Sequence, residues 1–364
     1  MLITNARRIL IAPLDWGLGH TARCVPIIQY ILQKGHIPIV AGNTGQCSFI
    51  EKSFKGIDFI HLDGYEVSYA KGGLLSQARI FSQLPRIQQV IKQEHLWLLE
   101  KAKALELDGI ISDNRYGLYH KEMPSVIITH QPAIKTGLGQ LPDKAVRKIH
   151  YRYLERFQET WIVDMPGDNN LSGALSHPHA LPQHAKYIGL LSRFQDDAKS
   201  NPTNGSLVIL LSGPEPQRTL LSAILWRQAM SHPGKVIFIE GNEDIATPPF
   251  IPSHITYHKR LAHSILEPIL ANADIVICRS GYSTIMDLTA LGKKAILIPT
   301  PGQTEQEYLG QLLYSKKIFY CAPQKRFDLE KAIQVCEDFP FNKFTAENAF
   351  SAFHNVLNSW LERL

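Results

Sequence analysis

The residues Ala273-Asp-Ile-Val-Ile-Cys-Arg-Ser-Gly-Tyr-Ser-Thr-Ile-Met-Asp287 leave few folds open to this chain. Ile275 to Cys278 is a short apolar run bounded by turn residues, which predicts a buried strand. Arg279-Ser280-Gly281 turns the chain, and Ser283 to Leu291 predicts a helix ended by Gly292. A buried strand that feeds straight into a helix belongs to a parallel sheet covered by helices. Such a turn leaves backbone N–H groups without helical partners, and a phosphate binds well there. Asp287 stands about one helical turn after Ser283, within reach of a ribose diol. The next strand, Ala295 to Pro299, leads into Thr300-Pro-Gly-Gln-Thr-Glu-Gln-Glu-Tyr308, rich in hydrogen-bonding side chains. Taken in order, the three pieces read as a site for a diphosphate, a ribose and a sugar.

Strands and helices alternate almost throughout, which predicts an α/β chain with parallel sheets. The first unit is a strand from Arg8 to Pro13, a glycine-rich loop, and a helix from Thr21 to Gln33 ended by Gly35. Strands follow at Ile37 to Ala41 and Asp58 to Leu62. A long helical region, Leu75 to Leu105 with a break near Pro85, precedes strands at Gly109 to Ser112, Val126 to Thr129 and Trp161 to Asp164. Gly167 to Gln183 is loop by composition. After a polar stretch from Asp196 to Gly205 the pattern restarts. Leu207 to Leu211 is a strand, Gln217 to Ser231 a helix, Lys235 to Glu240 a strand, and Phe344 to Leu364 a last helical stretch. A chain of 364 residues, 45% hydrophobic, supports two such domains.

The net charge of +5 suits an anionic donor or an anionic lipid surface. No clustered basic stripe with groove-reading elements stands out, so nucleic acid is not an expected partner. Cys24, Cys47, Cys278, Cys321 and Cys336 are widely spaced, the pattern of reduced structural thiols. With neither a signal peptide nor an apolar run of membrane-span length, the expected location is cytoplasmic, with peripheral contact on the inner membrane face left open. Lys144, Arg147, Lys148, Arg152 and Arg156 fall along one helical side, which reads either as a lipid-facing surface or as a solvated face.

The second-half order resembles the C-terminal half of family 28 glycosyltransferases, whose fold is GT-B. In that family an Arg-Ser-Gly turn is followed by a ribose-binding acidic residue, here Arg279, Ser280, Gly281, Ser283 and Asp287. A Gln-Gln-Tyr element that binds the donor sugar is represented by Gln306-Glu307-Tyr308. The Pro301-Gly302-Gln303 wording is closer to diacylglycerol glycosyltransferases of the same superfamily. The resemblance implies two doubly wound, Rossmann-like α/β domains facing across a cleft. Residues 1–190 would form the acceptor side, with 345–364 packed back on it, and 200–344 the donor domain. It further implies transfer from a nucleotide sugar, a UDP-sugar such as UDP-N-acetylglucosamine, to a hydroxyl of a lipid-linked or glycan acceptor. The transfer would invert the anomeric centre, with the nucleotide sugar as co-substrate and no other cofactor.

Asp15-Trp-Gly-Leu-Gly-His20 occupies the first strand-to-helix loop, where Gly17 and Gly19 permit a tight turn at the carboxyl end of the sheet. It lacks the third glycine of a dinucleotide fingerprint and the lysine of a P-loop. It resembles the family's Gly-Gly-His loop, and His20 is the first candidate for the base that takes the acceptor proton. The other reading of His20 is that it only orders the first helical turn. Asp113, in Ser112-Asp-Asn-Arg-Tyr-Gly117, is a second candidate base, with Asn114 beside it on the acceptor side. His130-Gln131 resembles the family's His-Glu pair. Ser212-Gly-Pro-Glu-Pro-Gln-Arg218 is the equivalent loop of the second half, with Ser212, Gly213 and Arg218 as candidate phosphate contacts or else a stiff surface turn. Arg193 aligns with a family arginine near the diphosphate, and Arg279 either meets phosphate or braces the two loops.

His177-Pro-His179 with His184 has no cysteine or acidic ligand at usual spacing, and no D-x-D pair occurs, so no metal site is expected. Helix N-termini and arginines would then carry the leaving diphosphate's charge. Two other functions share these motifs: a nucleotide-sugar hydrolase or 2-epimerase, and a non-catalytic partner subunit that keeps only the donor site.

Overall fold

The computed structural model describes residues 6–65, 83–194 and 206–364. The expected linker at 196–205 and the first part of the expected long helical region, 75–82, lie outside them. The described residues divide into two compact units, one made of 6–65, 83–193 and 346–364, the other of 194 and 206–345.

The first unit is built on seven strands: β1 (Arg8–Pro13), β2 (Ile37–Gly42), β3 (Asp58–His61), β4 (Gly109–Asp113), β5 (Ser125–Thr129), β6 (Glu159–Ile162) and β7 (Ala185–Tyr187). All pair in parallel, in the order β3-β2-β1-β4-β5-β6-β7. The central strands are continuous apolar runs because both sheet faces are covered. Helices α1 (Leu18–Gln33), α2 (Thr44–Glu51), α3 (Leu84–Ala104) and α4 (Gln140–Leu154) form the described coat. Leu98 and Ala102 of α3 pack on Leu10, Ile39 and Ile110 of the sheet.

The second unit repeats the plan with β8 (Leu207–Leu210), β9 (Val236–Ile239), β10 (Ile255–His258), β11 (Ile275–Cys278), β12 (Ala295–Leu297) and β13 (Tyr320–Cys321). Their order is β10-β9-β8-β11-β12-β13, again parallel. The helices are α5 (Gln217–Ala229), α6 (His263–Ala271), α7 (Tyr282–Ala290), α8 (Thr304–Ser315) and α9 (Leu329–Glu337). In each sheet the winding reverses beside the first strand, between β1 and β4 and between β8 and β11. The carboxyl ends of those strand pairs open a crevice, the usual ligand position of doubly wound folds. The α/β expectation with parallel sheets therefore holds in both halves.

Helix α10 (Ala352–Leu361) belongs to the first unit. Its Trp360 ring meets Trp161 of β6 edge-on at 5.9 Å, and the Ala349 carbonyl before it accepts from the Leu190 N–H at 2.7 Å. Several expected boundaries move. Pro85 lies in the first turn of α3, where a missing N–H costs nothing, and the helix begins beside it at Leu84. Helix α1 starts at Leu18, three residues earlier than the periodicity indicates. Gly17 makes that start possible, with a φ of 92° that side chains rarely adopt.

The docking of α10 is tight at Gly109, where an added Cβ would lie 2.6 Å from Trp360 Cη2. Gly109→Ala is expected to cost about 1–3 kcal/mol by overpacking. Denaturant unfolding followed by tryptophan fluorescence checks this, and an unchanged midpoint would contradict the packing described.

Candidate active site

In the first unit the crevice between β1 and β4 is filled by a buried charged cluster. Asp113 ends β4 and is fully buried. Arg23, on the second turn of α1 and 2% exposed, reaches it with both arms of its guanidinium. Nε donates to Asp113 Oδ2 at 2.6 Å and Nη2 donates to Oδ1. Nη1 lies 3.0 Å from His130 Nδ1. His20 Nδ1 sits 3.1 Å from Asp113 Oδ1 and 2.9 Å from Arg23 Nη2. Asn114 closes the ring. With the Asn114 amide turned to the orientation that satisfies its neighbours, its nitrogen donates to the Ile128 carbonyl and to Thr129 Oγ1, each at 3.1 Å, and its oxygen accepts from Arg23 Nη2 at 3.1 Å.

The structure thus brings His20, Asp113, Asn114 and His130 together around an arginine that the sequence reading passed over. A charge between Ala22 and Cys24, inside an apolar helix, was the signal that could have found it. Burial alone would raise the Asp113 pKa. The Arg23 guanidinium, helped by His20, reverses that and holds the carboxyl down at about 2. Asp113 is sealed from solvent and both its oxygens are engaged, so of the two base candidates only His20 reaches the surface. His20 remains partly exposed, and burial lowers its pKa against the opposing pull of Asp113, which keeps the imidazole neutral near pH 7.

The other acceptor-side candidates lie at the same strand ends but outside the cluster. Asp15 Oδ1 accepts from the Tyr65 N–H at 3.0 Å, so its carboxylate braces the turn after β3. Gly17 and Gly19 are exposed beside His20, and the Gln131 N–H donates to Thr129 Oγ1 at 3.2 Å. A second buried pair supports the loop after β4: Arg115 Nε donates to Glu94 Oε1 at 2.7 Å. Glu94 Oε2 accepts from Tyr65 Oη at 2.7 Å and from the Gly117 N–H at 3.1 Å.

In the second unit Arg279 is buried and spent on backbone carbonyls. Nη1 donates to Ile298 and Pro299, both at 3.2 Å, and Nη2 to Gln217 at 2.7 Å. Burial lowers its pKa to about 10. These bonds brace the loop after β12 against the start of α5, one of the two roles expected of Arg279. Arg218 is also engaged, with Nε donating to Glu215 Oε1 at 3.0 Å and Nη1 to the Gly241 carbonyl at 3.1 Å. Ser280 Oγ donates to the Gln306 carbonyl at 2.8 Å, Gln306 Oε1 accepts from the Thr300 N–H at 2.9 Å, and Glu307 Oε1 accepts from the Gly302 N–H at 2.8 Å. These side chains shape the loop after β12, whose Gln303 precedes α8.

Gly281, at the start of α7, faces open space: an added Cβ would meet nothing within 4 Å. Ser283 follows in the first turn, and Asp287 one turn on is 4% exposed. Ser212 and Gly213 occupy the equivalent loop after β8, where Gly213 has a φ of 100°. Arg193 belongs to the first unit, its guanidinium 5.9 Å from the centre of the Phe49 ring. Among the described residues no group of three His, Cys, Asp or Glu side chains is arranged to hold a metal ion, and no helix is long and apolar enough to cross a membrane.

Residues 254–358 match the glycosyltransferase family 28 C-terminal domain, a span that takes in β11, the Arg279-Ser280-Gly281 turn, α7 and α8. The UDP-N-acetylglucosamine–N-acetylmuramyl-(pentapeptide) pyrophosphoryl-undecaprenol N-acetylglucosamine transferase of Pasteurella multocida (strain Pm70) is 24% identical over 349 residues. That alignment covers 92% of this chain and 89% of the relative. The crystal structure of the glycosyltransferase SnogD from Streptomyces nogalater has a TM-score of 0.62 at 16% identity, covering 98% of this chain and 96% of that one. The spinosyn rhamnosyltransferase SpnG complexed with thymidine diphosphate has a TM-score of 0.60 at 14% identity, with 98% and 96% covered. Two Rossmann-like halves matched along their length by these structures define the GT-B fold. With the family domain and the relative, the chain is a glycosyltransferase, and a family 28-like one.

Asp113→Ala would leave the Arg23 charge buried and unpaired, which is expected to cost about 3–5 kcal/mol at neutral pH. Because the folded carboxyl is depressed, this wild-type advantage is complete above the ordinary carboxylate pKa and is lost as pH falls toward about 2. Denaturant titrations of both proteins across that range check the loss and its sign.

Proposed function

We propose that the chain moves a sugar from a UDP-sugar to the hydroxyl of a lipid-linked or glycan acceptor, with inversion and without a metal ion. The observation that carries the reading is the buried Arg23–Asp113 pair against Nδ1 of a partly exposed His20. A carboxylate on Nδ1 directs the lone pair to Nε2, as a general base requires. His20 Nε2 takes the acceptor proton, the acceptor oxygen bonds to the anomeric carbon, and the bond from that carbon to the diphosphate oxygen breaks. The N-terminus of α7 at Gly281, with Ser212 and Gly213, receives the diphosphate, and Asp287 the ribose. Support for a nucleotide diphosphate comes from the relative's name, which specifies UDP-N-acetylglucosamine, and from the thymidine diphosphate held by SpnG.

The relative's name also specifies a polyprenyl-linked acceptor, which favours work at a membrane surface. Helix α4 suits that setting: Leu141 (79% exposed) and Ile149 (55%) stand on its outer side with exposed Lys144, Lys148 and Arg152. Such a face lies on anionic lipid without crossing it, and pelleting of the full chain with anionic vesicles checks the contact.

The deciding experiment incubates the full chain with radiolabelled UDP-sugars, with and without a lipid extract. Label in an acceptor product supports transfer, free sugar supports hydrolysis, and an epimeric UDP-sugar supports the 2-epimerase. No turnover with any donor supports a binding subunit. Asp287→Ala is expected to weaken UDP binding by about 1–3 kcal/mol in calorimetry, and unchanged affinity in a folded variant removes Asp287 from the site.

His20→Ala is expected to leave UDP affinity intact and to lower turnover roughly 10²–10⁴-fold. The wild-type rate should fall on acidification, with a midpoint below the ordinary histidine value because burial favours the neutral ring. That acid limb should vanish in the variant. Near-normal turnover in a stable His20→Ala protein would end the assignment.

A further inference from the structure

Arg23 does more than neutralise Asp113. A guanidinium offers only donors: one hydrogen on Nε and two on each terminal nitrogen. The Nε hydrogen goes to Asp113 Oδ2. Nη2 has Asp113 Oδ1 and the Asn114 oxygen as acceptors, which use both of its hydrogens. None is left for His20 Nδ1, although that atom is 2.9 Å away. His20 Nδ1 must therefore carry its own proton and donate to Asp113 Oδ1 at 3.1 Å. Nη1 meets His130 Nδ1 at 3.0 Å, and a donor there requires an unprotonated nitrogen. His130 then carries its proton on Nε2. Histidine tautomers follow from such networks.

We infer that Arg23 is a positioning residue that fixes His20 and His130 in opposite tautomers, making Nε2 of His20 an acceptor and Nε2 of His130 a donor. Its catalytic meaning rests on the reading of His20 as base. With Nε2 of His20 unprotonated, one imidazole can take the acceptor's proton. With Nε2 of His130 protonated, the other can donate a hydrogen bond to an oxygen of a sugar acceptor. A lysine at position 23 would keep the charge but not the fork, since an ammonium is a point donor without the planar arms. The charged and titratable groups facing His20 are Asp113, Arg23 and His130. Asp113 is faced by Arg23 and His20 and also by Cys24 and Tyr116, whose burial raises their pKa values and keeps them neutral.

The test is long-range proton–nitrogen NMR of the full chain labelled with ¹⁵N-histidine, near pH 7.5. The expected wild-type spectrum has His20 protonated at Nδ1 and His130 at Nε2, assigned with His20→Gln and His130→Gln. Arg23→Lys should mix both tautomers and lower turnover roughly 10–100-fold at unchanged UDP affinity. It should also move the acid limb of the rate profile. If Arg23→Lys does not fold, Asn114→Ala serves instead. It returns one Nη2 hydrogen to His20 and should shift that ring toward the Nε2-protonated form. Equal tautomers in the wild type, or unchanged tautomers in both variants, would overturn the inference whatever the activity. Opposite tautomers with normal turnover in His20→Ala would leave the clamp standing and remove His20 as the base.

Discussion

The ion pair between Arg23 and Asp113 is the interaction on which the first unit's functional end depends. Both groups are out of water, where an unpaired charge costs several kcal/mol. The two-pronged geometry offsets that cost only while β4, α1 and the start of the loop after β5 hold their places. Helix position, strand ends and loop conformation are thus tied to one charge pair. His20 then sits against a carboxylate that stays ionised across the ordinary pH range. Stability and the orientation of the candidate base come from the same contact.

The two halves share a topology and treat their crevices differently. In the first, charged side chains fill the space between β1 and β4. In the second, Arg279 crosses from the end of β11 to the carbonyls of Ile298, Pro299 and Gln217, so one cation ties the loop after β12 to the start of α5. This leaves the amides at the start of α7 with open space in front of Gly281. A rigid frame with open space beside a helix N-terminus suits an anion whose recognition is mostly backbone. A pre-set hydrogen-bond ring suits proton transfer. The division of labour follows from what each crevice is filled with.

Much of this was legible in the sequence because it is local. The β11–α7 unit announces itself through an apolar run, a Ser-Gly turn and a helix ended by glycine. The β1–α1 loop is legible for the same reason. Helix α2 was passed over, although Asn43 and Gln46 form a reciprocal cap that its sequence carries. Strands β7 and β10 lie at sheet edges and are partly exposed, so neither carries a continuous apolar run. What Arg23 pairs with was not legible for a different reason. Its partner Asp113 lies 90 residues away, and helical periodicity says nothing about which charge a buried arginine meets. For Arg279 and Arg218 the sequence leaves several uses open, and only tertiary geometry shows the carbonyls they meet.

The cluster can be traced to a single backbone angle. Gly17 adopts a φ of 92°, and this lets α1 begin at Leu18. Starting there places His20 in the first helical turn and Arg23 three residues later, on the same face. That spacing is what allows both side chains to reach one carboxylate at the end of β4. A residue with a Cβ at position 17 would meet no neighbour within 4 Å, so the constraint is conformational, not steric crowding. A later helix start would remove His20 from the first turn and separate it from Arg23. The loop glycine, which looks like simple room for a ligand, is therefore also what sets the register between the candidate base and the group that orients it.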